Sequence, residues 1–191
     1  MDEMEKRSVR ERLILAGIDE VENHGLQNFS IRRIATACEL SCAAPYKHFK
    51  DKLEFVTAIT DYVYDRWGEE RTRIVAENEG DTRRQLVKIS VGYIRFLHEN
   101  PGFRSIIMLR DTGQENGEGQ MLLRLTEGSR GLVDRYCREV NMPPDVQWRK
   151  TFVVRSLIYG AALMMDNGEI SEERGDLDVV EAMIDREFDL D

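Results

Sequence analysis

Between Ser30 and Lys52 the chain carries Arg32, Arg33, Lys47, Lys50 and Lys52 against Glu39 and Asp51, a local surplus of three positive charges. Such a patch attracts phosphate, and it does so whatever the charge of the rest of the molecule. Cys42, Ala43 and Ala44 are short side chains that allow close approach to base edges and a methyl contact with thymine. Ser30, through its hydroxyl and the helix start it marks, and Lys52, at the head of a later helix, suit phosphates on either side. Arg7 and Arg10 either reach a neighbouring groove as a flexible arm or sit on a solvated end. This is recognition chemistry, with no bond to break.

Bond-breaking chemistry finds little support. The histidines are His24, His48 and His98, and none has a Glu three residues before it, as a helical di-metal site requires. No phosphate-binding glycine loop or nucleophile motif is present. Cys38 and Cys42, four apart, offer with His48 only three of the four ligands of a structural zinc. The expectation is neither an enzyme nor a metal or cofactor protein, with the three cysteines reduced rather than paired.

The elements that must position the basic segment are helical. Ser30 caps one short helix whose apolar face is Ile31, Ile34 and Ala35, the chain breaks at Cys38-Glu39-Leu40, and Ser41 caps a second, which together make a helix-turn-helix pattern. Ahead of it, Ser8 and Glu11 have capping-box spacing and open a helix through Leu13, Ile14, Gly17, Ile18 and Val21 to about His24, where Gly25 fits a left-handed cap. Phe49 packs as core on Ile34 and Ile14. Asp51-Lys-Leu-Glu54 begins a long helix over 52–77, ended by Glu79-Gly80-Asp81. Further helices are expected over 82–98, 102–110, 118–140, 145–166 and 176–188, and no segment shows strand alternation bounded by hairpin turns.

The chain has 191 residues, 41% of them hydrophobic, which is enough for one compact core or two small ones. Its net charge of −9 lies wholly beyond residue 52, because residues 1–52 hold nine basic and nine acidic side chains. No apolar run approaches the roughly 20 residues of a membrane span. The charged start Met-Asp-Glu-Met-Glu-Lys-Arg is unlike a signal peptide, so a cytoplasmic location and no membrane partner are expected.

Arg12-Leu-Ile-Leu-Ala-Gly-Ile18, Gly25, Ser30-Ile31, Ile34-Ala35, Leu40-Ser41 and Tyr46-Lys-His-Phe49 followed by Lys52 resemble the N-terminal signature of TetR-family transcriptional regulators. The resemblance covers residues 8–55. It implies an all-α chain with a three-helix helix-turn-helix domain over 1–51 and a helical ligand-binding and dimerisation domain over 52–191. It also implies a homodimer on a palindromic operator in double-stranded DNA, repression, and release by a small-molecule effector. Tyr46 and His48 would contact the DNA backbone, with Lys47 on the same surface, giving Ser30, Arg32, Cys42, Ala43, Ala44, Tyr46, Lys47, His48 and Lys52 as DNA-binding candidates. Two positions depart from the family pattern: Glu39 replaces the glycine common in the turn, and Cys42 stands where Lys or Arg is frequent.

In the larger domain the bulky residues available to line an effector cavity are Tyr62, Trp67, Tyr93, Phe96, Phe103, Met108, Met121, Trp148, Phe152 and Tyr159. Arg155 interrupts an apolar run, and it would meet a ligand's acid group, a partner subunit's carboxylate or, the favoured reading, a structural carboxylate such as Asp166. Ser156 and Gly160, one turn apart with Val153 and Met164 beside them, leave a thin stripe for a second helix. Val180, Met183 and Ile184 complete an expected four-helix dimer interface. The competing readings are the same fold governed by a protein partner, which an absence of any cavity would favour, and a small helical enzyme.

Overall fold

The structure, a computed structural model, describes residues 7–102 and 119–189, with backbone only for 119–128. Beyond Gly102 the expected helix over 102–110 lies outside the described residues, as do the candidates Phe103 and Met108 and the side chain of Met121. Every regular element among them is helical: α1 (Val9–His24), α2 (Ile31–Ala37), α3 (Lys52–Glu77), α4 (Thr82–Glu99), α5 (Gly119–Glu139), α6 (Pro144–Asp166) and α7 (Asp176–Arg186). Two 3-10 turns, Leu26–Asn28 and Pro45–Lys47, complete the list. No described helix is long and apolar enough to cross a membrane.

By contacts the chain forms two compact units, residues 1–66 with 101–121 and residues 67–100 with 122–191. The first takes in α3 as far as Arg66, and the second begins at Trp67.

The first unit closes around Leu13, Ile14, Ile18, Ile34, Phe49, Phe55 and Ile59, each 4% exposed or less. Burial of side chains this size contributes about 1.5–3 kcal/mol apiece. Phe49 stacks on Phe55 with centroids 4.1 Å apart, and Phe29 meets Phe55 edge-on at 5.5 Å. Gly17 lets α1 approach α3, since a Cβ there would stand 2.5 Å from Ile59 Cδ1. At its start α1 is capped by Ser8, whose Oγ accepts from Glu11 N–H. It ends at Gly25, whose φ of 71° and ψ of 160° form a glycine-favouring conformation different from the left-handed helical cap expected there.

The second unit is built on α4, whose Leu86, Val91, Ile94 and Leu97 are buried. Arg83 to Asp185 at 2.8 Å, Lys88 to Glu181 at 2.6 Å and Arg95 to Glu172 at 2.7 Å set α7 antiparallel to α4. On α6, Ile158, Ala161, Ala162 and Met165 are buried, whereas Trp148, Phe152, Leu163 and Met164 are exposed. The helix is thus apolar on two sides, and its own unit covers one.

Candidate nucleic-acid interface and interior cavity

The helix-turn-helix begins with a well-tied α2. Ser30 Oγ accepts from Arg33 N–H, and Ser30 N–H donates at 2.9 Å to the buried Glu20 carboxylate of α1. Burial pushes the Glu20 carboxyl up, but the Arg33 hydrogen bond, the Ser30 N–H and the charges of Arg33 and His24 outweigh it and hold the carboxyl below its ordinary range. Arg33 Nε lies 3.0 and 3.1 Å from the two Glu20 oxygens, and its Nη2 also reaches Asn28 O at 2.5 Å. This cation of the local surplus is consumed by structure.

The turn after α2 is a Schellman motif. Glu39 N–H donates to Thr36 O and Leu40 N–H to Ala35 O, with Glu39 at φ 58°. The position that lacks the family's glycine is therefore left-handed, and a side chain there costs about 1 kcal/mol. Arg12 Nη2 donates to Cys38 O at 2.8 Å and braces the turn on α1. Cys38 is buried, and burial raises its thiol pKa while Arg12 opposes the shift, so the thiol keeps its proton.

The second helix expected from Ser41 is much shorter: only Pro45–Lys47 is regular, as a 3-10 turn headed by Ala44 without a side-chain cap. Pro45 supplies no N–H, so the turn is held by Ala44 N–H to Ser41 O, Lys47 N–H to Ala44 O, and the His48 and Phe49 N–H groups, both to Pro45 O. Pro45 and Phe49 are buried, and between and before them Cys42, Ala43, Tyr46, Lys47 and His48 face solvent, with Ala44 half-buried. Tyr46 is 57% exposed. Arg32 is exposed on α2. Lys52 donates to Leu26 O at 3.1 Å and lies over the Phe29 ring, so its ammonium is anchored close to the surface. Arg10 lies over Phe49, a contact between residues remote in sequence, and Arg7 pairs with Glu11 at 3.7 Å, an i,i+4 spacing that the sequence already offered.

The second unit holds a half-open cavity of about 450 Å³. Trp67 from α3, Leu86, Ile89 and Tyr93 from α4, Val133 from α5 and Ile158 from α6 form its apolar wall. Trp67, Tyr93, Arg155 and Tyr159 of the expected ligand set line it. Phe96 is buried against Trp67, with centroids 5.3 Å apart, and belongs to the core behind the wall. Phe152 is 61% exposed and stacks on Trp148 instead, and Tyr62 belongs to the first unit. The expected Arg155–Asp166 pair does not form, because eleven residues of α6 hold the two about 16 Å apart along its axis, and Asp166 Oδ1 lies 3.1 Å from His98 Nδ1 instead. Among the described residues no group of three metal-ligating side chains occurs.

The helical order and both units recur in solved structures. A TetR family transcription regulator from Marinobacter aquaeolei superimposes with a TM-score of 0.75 at 20% identity, over 93% of this chain and 94% of that one. A TetR-like transcriptional regulator from Rhodococcus gives 0.67 at 16% identity, over 95% and 94%. The fold is that of the TetR-family regulators. The curated nucleoid occlusion factor SlmA of Sodalis glossinidius is 23% identical over 169 residues, 88% of this chain and 78% of that protein. No family model matches the chain.

Within this TetR-like fold, the expected dimer residues divide. Val153, Ser156, Met164 and Met183 are exposed, and Gly160 has open space where a Cβ would project. Val180 is half-buried. Ile184 is fully buried in its own unit, which corrects its assignment to the interface. The exposed face instead includes Trp148, Phe152, Leu163 and Val179, which the stripe of small residues did not reveal.

Proposed function

We propose that the protein is a transcriptional regulator that binds a palindromic DNA operator as a homodimer and is released from it by a small organic effector, acting as a repressor. The observation that carries this reading is the run Cys42–His48, solvent-facing apart from Pro45 and the half-buried Ala44, held on a braced α1–α2 frame by buried Pro45 and Phe49. Tyr46, Lys47 and His48 offer hydroxyl, ammonium and imidazole donors to phosphate, while Cys42, Ala43 and Ala44 approach the base edges. Ser30, Arg32 and Lys52 flank them. The named function of the Marinobacter and Rhodococcus proteins supports control of transcription here.

An unpartnered apolar face on α6 and α7 supports the dimer, since exposed clusters of large apolar side chains mark association surfaces. Two-fold symmetry then sets the reading turns about 34 Å apart, one turn of DNA. The cavity favours a small-molecule effector over a protein partner. α3 supplies the lever. It carries Lys52 at its start and, further along, Trp67 of the cavity wall. A coupling of about 1–3 kcal/mol between effector and operator changes affinity about 5- to 150-fold.

The test is selection of duplexes from a random library by the purified full chain, followed by anisotropy titration of the winner and sedimentation of the complex. Two subunits on an inverted repeat are expected. A protein that enriches no duplex at low salt would end the proposal.

A further inference from the structure

The cavity has two chemically different ends. α6 runs parallel to α4, since His98 lies beside Asp166 and Tyr159 bears electrostatically on Tyr93. α5 folds back against α6, with Gln147 Nε2 donating to Asp134 Oδ1 at 3.4 Å. Asp134 therefore sits about 12 Å from Arg155 along the α6 axis, two helical turns away. The other lining carboxylate, Glu187, precedes Phe188, whose carbonyl accepts the Tyr136 hydroxyl at 2.6 Å near the far end of α5.

Around Arg155 the polar lining is different. Tyr93 and Tyr159 present hydroxyls, Arg130 lies one turn before Asp134 in the direction of Arg155, and Lys150 stands just over one turn below Arg155 on α6. Among the described residues Arg155, Arg130 and Lys150 make no ion pair, and the Tyr93 and Tyr159 hydroxyls make no hydrogen bond. Burial pushes the Tyr93 hydroxyl up, so it stays a protonated donor. Arg155 is a solvent-exposed residue of the lining and Tyr93 and Tyr159 are half-buried, and with no carboxylate of their own the three leave a guanidinium and two phenols open to an acceptor that carries negative charge.

We infer that the cavity binds an amphipathic organic acid, its apolar body against Trp67 and Ile158 and its carboxylate on Arg155 with the Tyr93 and Tyr159 hydroxyls. This deepens the effector reading and rests on it. The planar fork of Arg155 matches a carboxylate bidentately, which a neutral amide of the same shape cannot reproduce.

The experiment uses the full wild-type chain, titrated by isothermal calorimetry at pH 7.5 with octanoate against octanamide and with 4-phenylbutyrate against 4-phenylbutanamide, the two pairs separating straight-chain from aromatic bodies. In at least one pair the acid is expected to bind tighter than the amide by about tenfold or more. Arg155→Gln brings the acid to the amide's level and leaves the amide unchanged, with the dimer intact in sedimentation. Should that variant lose its melting transition, Arg155→Lys replaces it, with the acid again weakened and the amide unaffected. Equal binding of acid and amide, no binding in either pair, a preference that survives the Arg155 variants, or a dimer that falls apart in them overturns the inference. A wild-type protein that binds its duplex but no acid overturns this inference alone, whereas one that takes the acid but no duplex overturns the regulator reading.

Discussion

Arg33 Nε is hydrogen-bonded to both oxygens of Glu20, a carboxylate that is 7% exposed and also holds the Ser30 N–H at the start of α2. One buried acid thereby fixes the angle at which α2 leaves α1. Truncation by Glu20→Ala leaves the Ser30 amide without its acceptor and is expected to destabilise the fold by about 1–3 kcal/mol, read by urea denaturation. Because the folded carboxyl titrates below its unfolded value, the stabilisation is complete above the unfolded value of about 4.3 and is lost as pH falls through the lower, folded one. A melting series from pH 6 to pH 3 should show a steeper acid decline in the wild type than in Glu20→Gln.

Glu39 sits at φ 58°, where a Cβ is unfavourable. Glu39→Gly is expected to raise stability by about 1 kcal/mol, and Glu39→Val to lower it by at least as much. An unchanged denaturation midpoint for both would show that the turn relaxes.

Lys47 contributes charge without reading sequence in the proposed complex. Lys47→Ala should weaken binding to all duplexes alike and reduce the slope of log K against log salt by about 0.9. Ala43→Leu should instead change the ranking of duplexes while leaving the slope alone, measured by anisotropy at several salt concentrations.

The exposed face of α6 and α7 is tested by charge. Phe152→Asp combined with Met183→Asp should shift sedimentation from dimer to monomer at micromolar concentration. The secondary structure of each subunit should remain, because exposed positions away from special features change subunit stability by about 0.5 kcal/mol or less.

Much of this was legible in the residues. Asp51 and the Glu79-Gly80-Asp81 break mark both ends of α3, and Ser8, Ser30 and Asp81 each accept an N–H from the first turn of their helix. The reading segment differed because Ser41 predicts a full helix, whereas Pro45 lacks the donor that would carry an α-helical ladder through it. Arg33 looks in sequence like part of a basic patch, and only the approach of α1 shows that its charge is already matched. Phe152 and Ile184 lie in helices apolar on more than one side, where periodicity does not tell core from surface or interface. Arg155 was read with Asp166, but three turns of one helix keep them about 16 Å apart, and His98, remote in sequence, lies beside that carboxylate.

The reading turn is pinned at two points, Pro45 and Phe49, and draws almost none of its rigidity from the side chains around them. Its outward letters are therefore interchangeable without touching the scaffold. If the segment reads DNA as proposed, drift at 42, 43 and 46–48 would give a lineage of such proteins a way to acquire new addresses on a genome while the frame beneath, with its Glu20 brace and aromatic stack, stays as it was.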